Sequence, residues 1–220
     1  VDGAGVIGPL DPWVTNGVKL ANVFGFQQHP TMVTDGQGGA IVAWHDNRTG
    51  PVDADIYAQR FNASGRILWG STGIKISHGA VDQLFPRAAT DGAGGAIITW
   101  QDDRSGTNWD IYARRVNYLG VALWTNDGVP VCTAGDHQTD PRITADGLGG
   151  AIIAWTDTRA LPVSGVYAQA VGASGFTAWT PNGVPLDTLG GAGPDICSDG
   201  TGGAIISWGR AGIRVQRLNG

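Results

Sequence analysis

One segment occurs in four similar copies along this chain of 220 residues. Residues 35–44 read Asp-Gly-Gln-Gly-Gly-Ala-Ile-Val-Ala-Trp, and the counterparts follow at spacings of 56, 55 and 53 residues. A second marker, a Trp followed four residues later by Gly, keeps the same period and occurs at Trp13, Trp69, Trp124 and Trp179. Because two markers run in phase, the sequence predicts a repeat architecture of four units.

Each unit is predicted to contain four β-strands separated by turns rich in Gly. In the first unit we place these strands at residues 31–34, 40–44, 56–61 and 66–69. The second strand is apolar on both sides of the pleat, which is typical of a sheet buried on both faces. The chain has 36 Gly, no Glu and two Lys, a composition that disfavours helices.

Stacked blades of a β-propeller bury both faces of such sheets. We therefore predict an all-β propeller, in which four blades of four antiparallel strands form one domain over residues 1–220. The repeats span about 14–69, 70–124, 125–179, and 180–220 together with 1–13. Residues 6–13 are expected to pair beside residues 213–218 in the last blade and to close the ring. The alternative is that the chain is part of a longer array with more blades.

Charge and composition exclude several classes of partner and site. The net charge is −5 and the Arg residues are scattered, so no basic stripe for nucleic acid is present. No apolar run reaches the length of about 20 residues that a membrane span requires. Cys132 and Cys197 are too few for a disulfide framework, and the sequence leaves open whether they pair. We expect no cofactor.

The repeated unit Asp-Gly-x-Gly-Gly-Ala-Ile-Ile-Ala-Trp-x-Asp-x-Arg, followed by Asp-Ile-Tyr-Ala-Gln-Arg, resembles the tandem propeller repeats of large secreted bacterial surface proteins. The resemblance covers essentially the whole chain and implies an extracellular or cell-surface location in bacteria. It is also loosely similar to sugar-binding and sialidase propellers. The Asp-box of sialidases is not carried over, because Trp44 follows Asp35 by nine residues.

The long connections after the second strands share one face of the predicted disc, where binding residues are expected. Blade two suits a sugar site best, with Asp102, Arg104, Trp109 and Asp110 within nine residues. Blade one contributes a second candidate set: Asp46, Arg48 and Asp55. These residues offer carboxylates, guanidinium groups and an exposed aromatic ring to a pyranose. For the Asp-x-Arg elements themselves the sequence favours a structural role, in which Asp and Arg pair and fix the entry of the loop, and the sugar site is the functional alternative.

The four histidines His29, His45, His78 and His137 map to the same predicted face, but their repeat positions differ, so we expect no metal site. The absence of Glu removes the commonest glycosidase nucleophile, although Asp pairs can replace it. The sequence therefore favours a non-catalytic recognition module for carbohydrate, not an enzyme. The alternatives are a structural or protein–protein interaction propeller and, less favoured, a hydrolase resembling glycosidases.

Overall fold

The computed structural model describes residues 13, 16–50, 53–79 and 81–220, and these residues form fifteen β-strands without a helix. The strands make four antiparallel sheets. The first sheet contains β1 (Gln27–Thr34), β2 (Ala40–Asp46), β3 (Asp55–Phe61) and β4 (Ile74–Lys75). The second contains β5 (Gln83–Thr90), β6 (Ala96–Asp102), β7 (Asp110–Val116) and β8 (Val129–Cys132). The third contains β9 (Gln138–Ala145), β10 (Ala151–Asp157), β11 (Gly165–Val171) and β12 (Val184–Asp187). The fourth contains β13 (Ala192–Ser198), β14 (Ala204–Gly209) and β15 (Ile213–Leu218).

The predicted all-β class with one sheet per repeat is confirmed, but the fourth strand was placed wrongly. Residues 66–69 form only an isolated bridge between Phe61 and Ile67, and the pairing strand β4 follows later. The reason is that the chain crosses to the next sheet at Trp69, whose Nε1 donates to the carbonyl of Tyr118 at 3.1 Å. It then returns to its own sheet at residues 74–75.

The core lies between neighbouring sheets. Ile41 and Ile56 of the first sheet pack with Ile98 and Trp100 of the second, and all four side chains have no exposed surface. Equivalent clusters join the second sheet to the third and the third to the fourth. Since burial of an Ile side chain stabilises a fold by about 1.5–3 kcal/mol, these interfaces hold successive sheets together.

The repeated Asp-Gly-x-Gly-Gly segment makes the tight turn between the first two strands of each sheet. Asp35 Oδ1 accepts hydrogen bonds from the backbone N–H groups of Gln37 and Gly39, both at 2.8 Å. Gly39 is required because a Cβ there would lie 2.2 Å from the carbonyl oxygen of Phe61. Arg60 then pairs with Asp35 at 2.8 Å and ties the turn to β3.

The innermost strands β1, β5, β9 and β13 pack side by side in chain order, but β13 and β1 do not form such a pair. Among the described residues the four sheets therefore do not close into a ring. The predicted closure by residues 6–13 falls mostly outside the described residues and stays a prediction. Trp13 is described, and it packs on the first sheet, edge-on to Phe61 with ring centroids 5.5 Å apart.

Two further features concern the predictions on cysteine and membrane. Cys132 is buried, Cys197 is exposed, and both are free thiols. Within the described ranges no helix is long and apolar enough to cross a membrane.

Candidate functional site on the loop face

We call the loop face the side of the sheets at which β2, β6 and β10 end and β3, β7 and β11 begin. Strand register aligns polar residues across each sheet at this face. In the second sheet the aligned row is Gln83, Asp102 and Asp110, all buried. The equivalent row of the first sheet is Gln27, Asp46 and Asp55. Ionisable groups are thus held just beneath the loops.

The Asp-x-Arg elements are closed ion pairs inside their own sheets. Asp102 Oδ2 accepts from Trp100 Nε1 at 2.8 Å and from Arg104 Nη2 at 2.5 Å, while its Oδ1 accepts from the Arg104 backbone and Nε. The guanidinium lies 3.7 Å from the ring centroid of Tyr112. Asp46 and Arg48 repeat the arrangement. Because both oxygens of each carboxylate already accept hydrogen bonds within the sheet, the structural role of the Asp-x-Arg element fits this geometry.

The balance of forces on these carboxylates is visible at Asp46. Burial alone raises its pKa, but the hydrogen bonds from Arg48 and Trp44 outweigh burial and hold the pKa below its ordinary value. Asp46 therefore stays charged at neutral pH and can pair with the guanidinium. The third sheet repeats the pair, with Asp157 and Arg159 at 2.5 Å. The predicted proximity of each Asp to its Arg partner is confirmed at all three places.

Asp110 has a different environment from the paired carboxylates. Its side chain is buried, and the hydrogen bond that Oδ1 receives comes from the neutral amide of Asn108, at 2.9 Å. The pKa of Asp110 is raised to about 6, chiefly by burial and to a smaller extent by the nearby Asp102, against the opposing effect of the hydrogen bond from Asn108. Asp110 is therefore a carboxyl group that exchanges its proton close to neutral pH.

Asp55 occupies the position of Asp110 in the first sheet but has a cationic partner. Lys75 Nζ lies 2.8 Å from Asp55 Oδ2. Burial is the largest effect and raises the pKa of Asp55, while Lys75 lowers it. The two equivalent residues thus differ in their partner, an amide for Asp110 and an ammonium group for Asp55.

Trp109 is not the exposed platform that the sequence predicts, because it is half-buried. Its backbone is fixed on both sides: its N–H donates to His137 Nδ1 at 3.1 Å, and its carbonyl accepts from the Gln138 N–H at 2.7 Å. The reason is that the loop before β7 folds against the start of β9. The exposed aromatic rings of the loop face are Phe24 and Phe26 instead, 94% and 71% exposed.

A bulge near the start of each innermost strand places one residue in the left-handed backbone region. These residues are His29, Phe85, Asp140 and Gly193, with φ between 52° and 62°. The first three carry side chains, and such a backbone costs about 1–3 kcal/mol each. Backbone strain of this kind is often found at functional positions, and here it occurs at the equivalent position of three sheets.

In the second, third and fourth sheets a side chain from the preceding sheet accepts a hydrogen bond from the bulge residue. The N–H of Asp140 donates to Gln101 Oε1 at 2.9 Å, and that of Gly193 donates to Thr156 Oγ1 at 3.0 Å. The residue after the second-strand Trp therefore links successive sheets at the loop face. Asp140 is the bulge residue with a carboxylate, which is 41% exposed and pairs with Arg142 at 2.5 Å.

A cleft of about 170 Å³ opens between the first two sheets at this face and is lined by Phe26, Gln28, His45, Asn47, Ala54, Asp82 and Leu84. Beside it, the rings of His29 and His45 lie 4.9 Å apart and both contact Phe85. Burial lowers the pKa of His45, and the neighbouring His29 lowers it further. Among the described residues no group of His, Cys and Asp side chains is arranged to hold a metal ion.

Sequence reasoning thus located the polar row but missed the bulges and the exposed Phe residues. The signal for the bulges was the Gln-x-x-Pro pattern at Gln27, Gln83 and Gln138, since the residue before each Pro is the one with positive φ.

No protein-family model matches the chain, and no curated protein sequence matches it significantly. Solved structures do share its fold. An endo-arabinase from Bacteroides thetaiotaomicron aligns with a TM-score of 0.55 at 14% identity, over 92% of this chain and 78% of the enzyme. The GH43_1 enzyme of Xanthomonas citri, complexed with xylotriose, aligns with a TM-score of 0.51 at 14% identity, over 90% and 71%. A Hadza microbial sialidase aligns with a TM-score of 0.54 at 13% identity, over 87% and 44%.

These similarities correct two predictions. The expectations of a non-catalytic recognition module and of a protein that is not an enzyme are contradicted, because the structural neighbours are enzymes, among them an endo-arabinase, a family-43 glycoside hydrolase and an α-L-arabinofuranosidase. The low identity means that the likeness concerns the fold, a β-propeller of the kind found in carbohydrate-active enzymes. The expected loose similarity to sialidase propellers is supported.

Proposed function

We propose that this chain carries a glycan hydrolase activity and that the reaction takes place at the loop face. The observation that carries the proposal is the environment of Asp110, a buried carboxyl group that accepts a hydrogen bond from the neutral amide of Asn108; burial raises its pKa to about 6. A general acid works best when its pKa lies near the working pH, because it must hold a proton and still release it. The glycan substrates named for the structural neighbours support carbohydrate as the substrate class.

Glycoside hydrolysis commonly uses two carboxyl groups, one protonated and one ionised. Because the chain has no Glu, both must be Asp. We assign the proton donor to Asp110 and the ionised partner to Asp140. Asp140 is exposed, ion-paired to Arg142, and held on a strained bulge. Gln101 joins the two regions, since it accepts from the Asp140 N–H and lies beside Asp102 in β6.

In the proposed mechanism Asp110 transfers its proton to the oxygen of the leaving sugar as the glycosidic bond breaks. Asp140, as a carboxylate, stabilises the developing positive charge at the sugar carbon or activates the attacking water. The closed pair of Asp102 and Arg104 fixes the second sheet beneath these groups. Phe26 offers an exposed ring for stacking on a sugar face in the adjacent cleft.

The test is hydrolysis of arabinan, xylotriose and a sialoside by the full chain, followed by chromatography of released sugar. With the substrate that is cleaved, Asp110→Asn and Asp140→Asn should each reduce kcat by about 10²-fold or more. The matched controls are Asp55→Asn, at the position equivalent to Asp110, and Asp136→Asn, an exposed carboxylate nearby; both should keep the wild-type rate per folded molecule. The proposal is wrong if no substrate is cleaved, or if Asp110→Asn stays fully active.

A further inference from the structure

The fourth sheet exposes an apolar face that every other sheet buries. On its outward side Ile205, Ile213 and Val215 are 38%, 84% and 67% exposed. Register identifies their counterparts in the other sheets, because Ala204 pairs with Leu218 as Ala40 pairs with Phe61. Those counterparts are fully buried against the next sheet: Ile41, Ile56 and Ala58, then Ile97, Ile111 and Ala113, then Ile152, Val166 and Ala168.

The inward side of the first sheet lacks part of the packing that the other sheets have at the same positions. Met32 is 63% exposed, whereas its counterparts Ala88, Ile143 and Ile196 pack into the clusters that join neighbouring sheets. Beside it lies an open groove of about 240 Å³ lined by Lys19, Leu20, Ala21, Gln27, Pro30, Val42 and Trp44. Val42 is 8% exposed and packs with Ala21 and Trp44. In the other interfaces its counterparts, such as Ile98 and Ile153, have no exposed surface and are covered by the preceding sheet.

The segment before β1 already contacts the first sheet as a fourth strand contacts the sheet that follows it. Trp13 Nε1 donates to the carbonyl of Ala63 at 3.1 Å, as Trp69 Nε1 donates to that of Tyr118. Gln59 Nε2 donates to the carbonyl of Leu20 at 3.3 Å, as Arg114 Nη1 donates to that of Ile76 at 2.6 Å.

Leu20 follows Trp13 by seven residues, as Ile76 follows Trp69. Residues 18–21 are therefore the equivalent of β8, and residues 18–19 that of β4, yet among the described residues they pair with no strand.

We propose that the surface between the fourth and first sheets is a docking site for one further blade of the same repeat. The inward face of this added blade covers Ile205, Ile213 and Val215. Its outward face fills the groove at Val42 and Trp44, and its third strand pairs with residues 18–21. The argument is continuity with an interface that the molecule already builds three times from the same residue positions. A second complete copy of the chain is a different occupant, because it contains four sheets, whereas one sheet is enough to cover the exposed faces of the fourth and first sheets.

The experiment extends the full chain after Gly220 with a copy of its own residues 119–173, which supply the strands that follow and complete one more repeat. If the surface accepts a blade, the extended chain should unfold at a Tm about 10 °C higher. It should also bind less of the apolar dye ANS and protect from hydrogen exchange the β15 amides that face away from β14. A control extension of equal length made of Gly and Ser should change none of these. Ile213→Lys should abolish the gain in the extended chain while leaving the Tm of the original chain unchanged.

Three results would overturn the proposal. Protection of the outward-facing β15 amides in the unextended monomer would mean that the ring closes within the chain. Concentration-dependent oligomers of the unextended chain, detected by light scattering, would mean that a second copy covers the surface. An extended chain whose Tm, dye binding and exchange equal those of the Gly/Ser control would also contradict it.

Discussion

Asp187, at the end of the third sheet, accepts a hydrogen bond at 2.9 Å from Nε1 of Trp208 in the fourth sheet. In the other three sheets the Trp donates to an Asp two residues later, as Trp44 does to Asp46. The fourth sheet has Arg210 at that place, and Arg210 itself pairs with Asp187 at 3.1 Å. One carboxylate from the neighbouring sheet thus replaces a residue that the fourth repeat has lost.

Asp187→Ala should lower the free energy of unfolding by about 3 kcal/mol, because it leaves the indole N–H of Trp208 buried without an acceptor. Urea unfolding measures the loss. The control Asp127→Ala, whose side chain is 58% exposed, should cost less than about 0.5 kcal/mol. Arg210→Asp in the Asp187→Ala background restores a carboxylate two residues after the Trp, and we expect it to recover part of the stability. Failure of both effects would mean that the bond contributes nothing.

Arg104→Lys should destabilise the chain by about 1–2 kcal/mol although the charge is kept. Lysine cannot donate a planar fork to Asp102 or stack on Tyr112 as the guanidinium does. Thermal unfolding compares this variant with Arg66→Lys, at an exposed position, which should be neutral. Equal Tm values for the two variants would contradict the structural role of the Asp-x-Arg element.

The raised pKa of Asp110 predicts a pH-dependent cost in stability. In the unfolded chain its carboxyl loses the proton near pH 3.8, but in the folded chain only near pH 6. Between these values the unfolded state binds fewer protons, so the contribution of Asp110 to stability falls as pH rises, by up to about 3 kcal/mol. The difference in unfolding free energy between Asp110→Asn and wild type should therefore grow from pH 4 to pH 7. A constant difference would show that burial does not shift this pKa.

The raised pKa of Asp110 also predicts how the rate of hydrolysis depends on pH. If Asp110 donates the proton, kcat/KM should decline as pH rises above about 6, because the acid form is lost. Hydrolysis rates measured between pH 4 and pH 8 on the cleaved glycan test this. A rate that rises through this range would exclude Asp110 as the general acid.

Trp109→Ala should cost about 1–2 kcal/mol in unfolding free energy, an intermediate value, because the side chain is half-buried. Phe26→Ala should cost less than about 0.5 kcal/mol, since its ring is 71% exposed. Urea titration of both variants compares the two positions directly. If Trp109→Ala is as neutral as Phe26→Ala, Trp109 is available as a ligand platform after all.

The sequence alone determined the repeat, the all-β class and the pairing of each Asp with its Arg, because these depend on local order. Apolar alternation, Gly turns and an Asp two residues before an Arg act within a few residues of one another. Tertiary structure decided what depends on neighbouring sheets. The fourth strand of the first sheet lies at residues 74–75 and not at the predicted 66–69, because Trp69 donates its hydrogen bond to the adjacent sheet. Tertiary structure half-buried Trp109, supplied Asp187 to Trp208 from another repeat, and raised the pKa of Asp110 through burial. It also left Ile213 exposed although Ile56 is buried, because exposure depends on which sheet comes next and not on the residue itself.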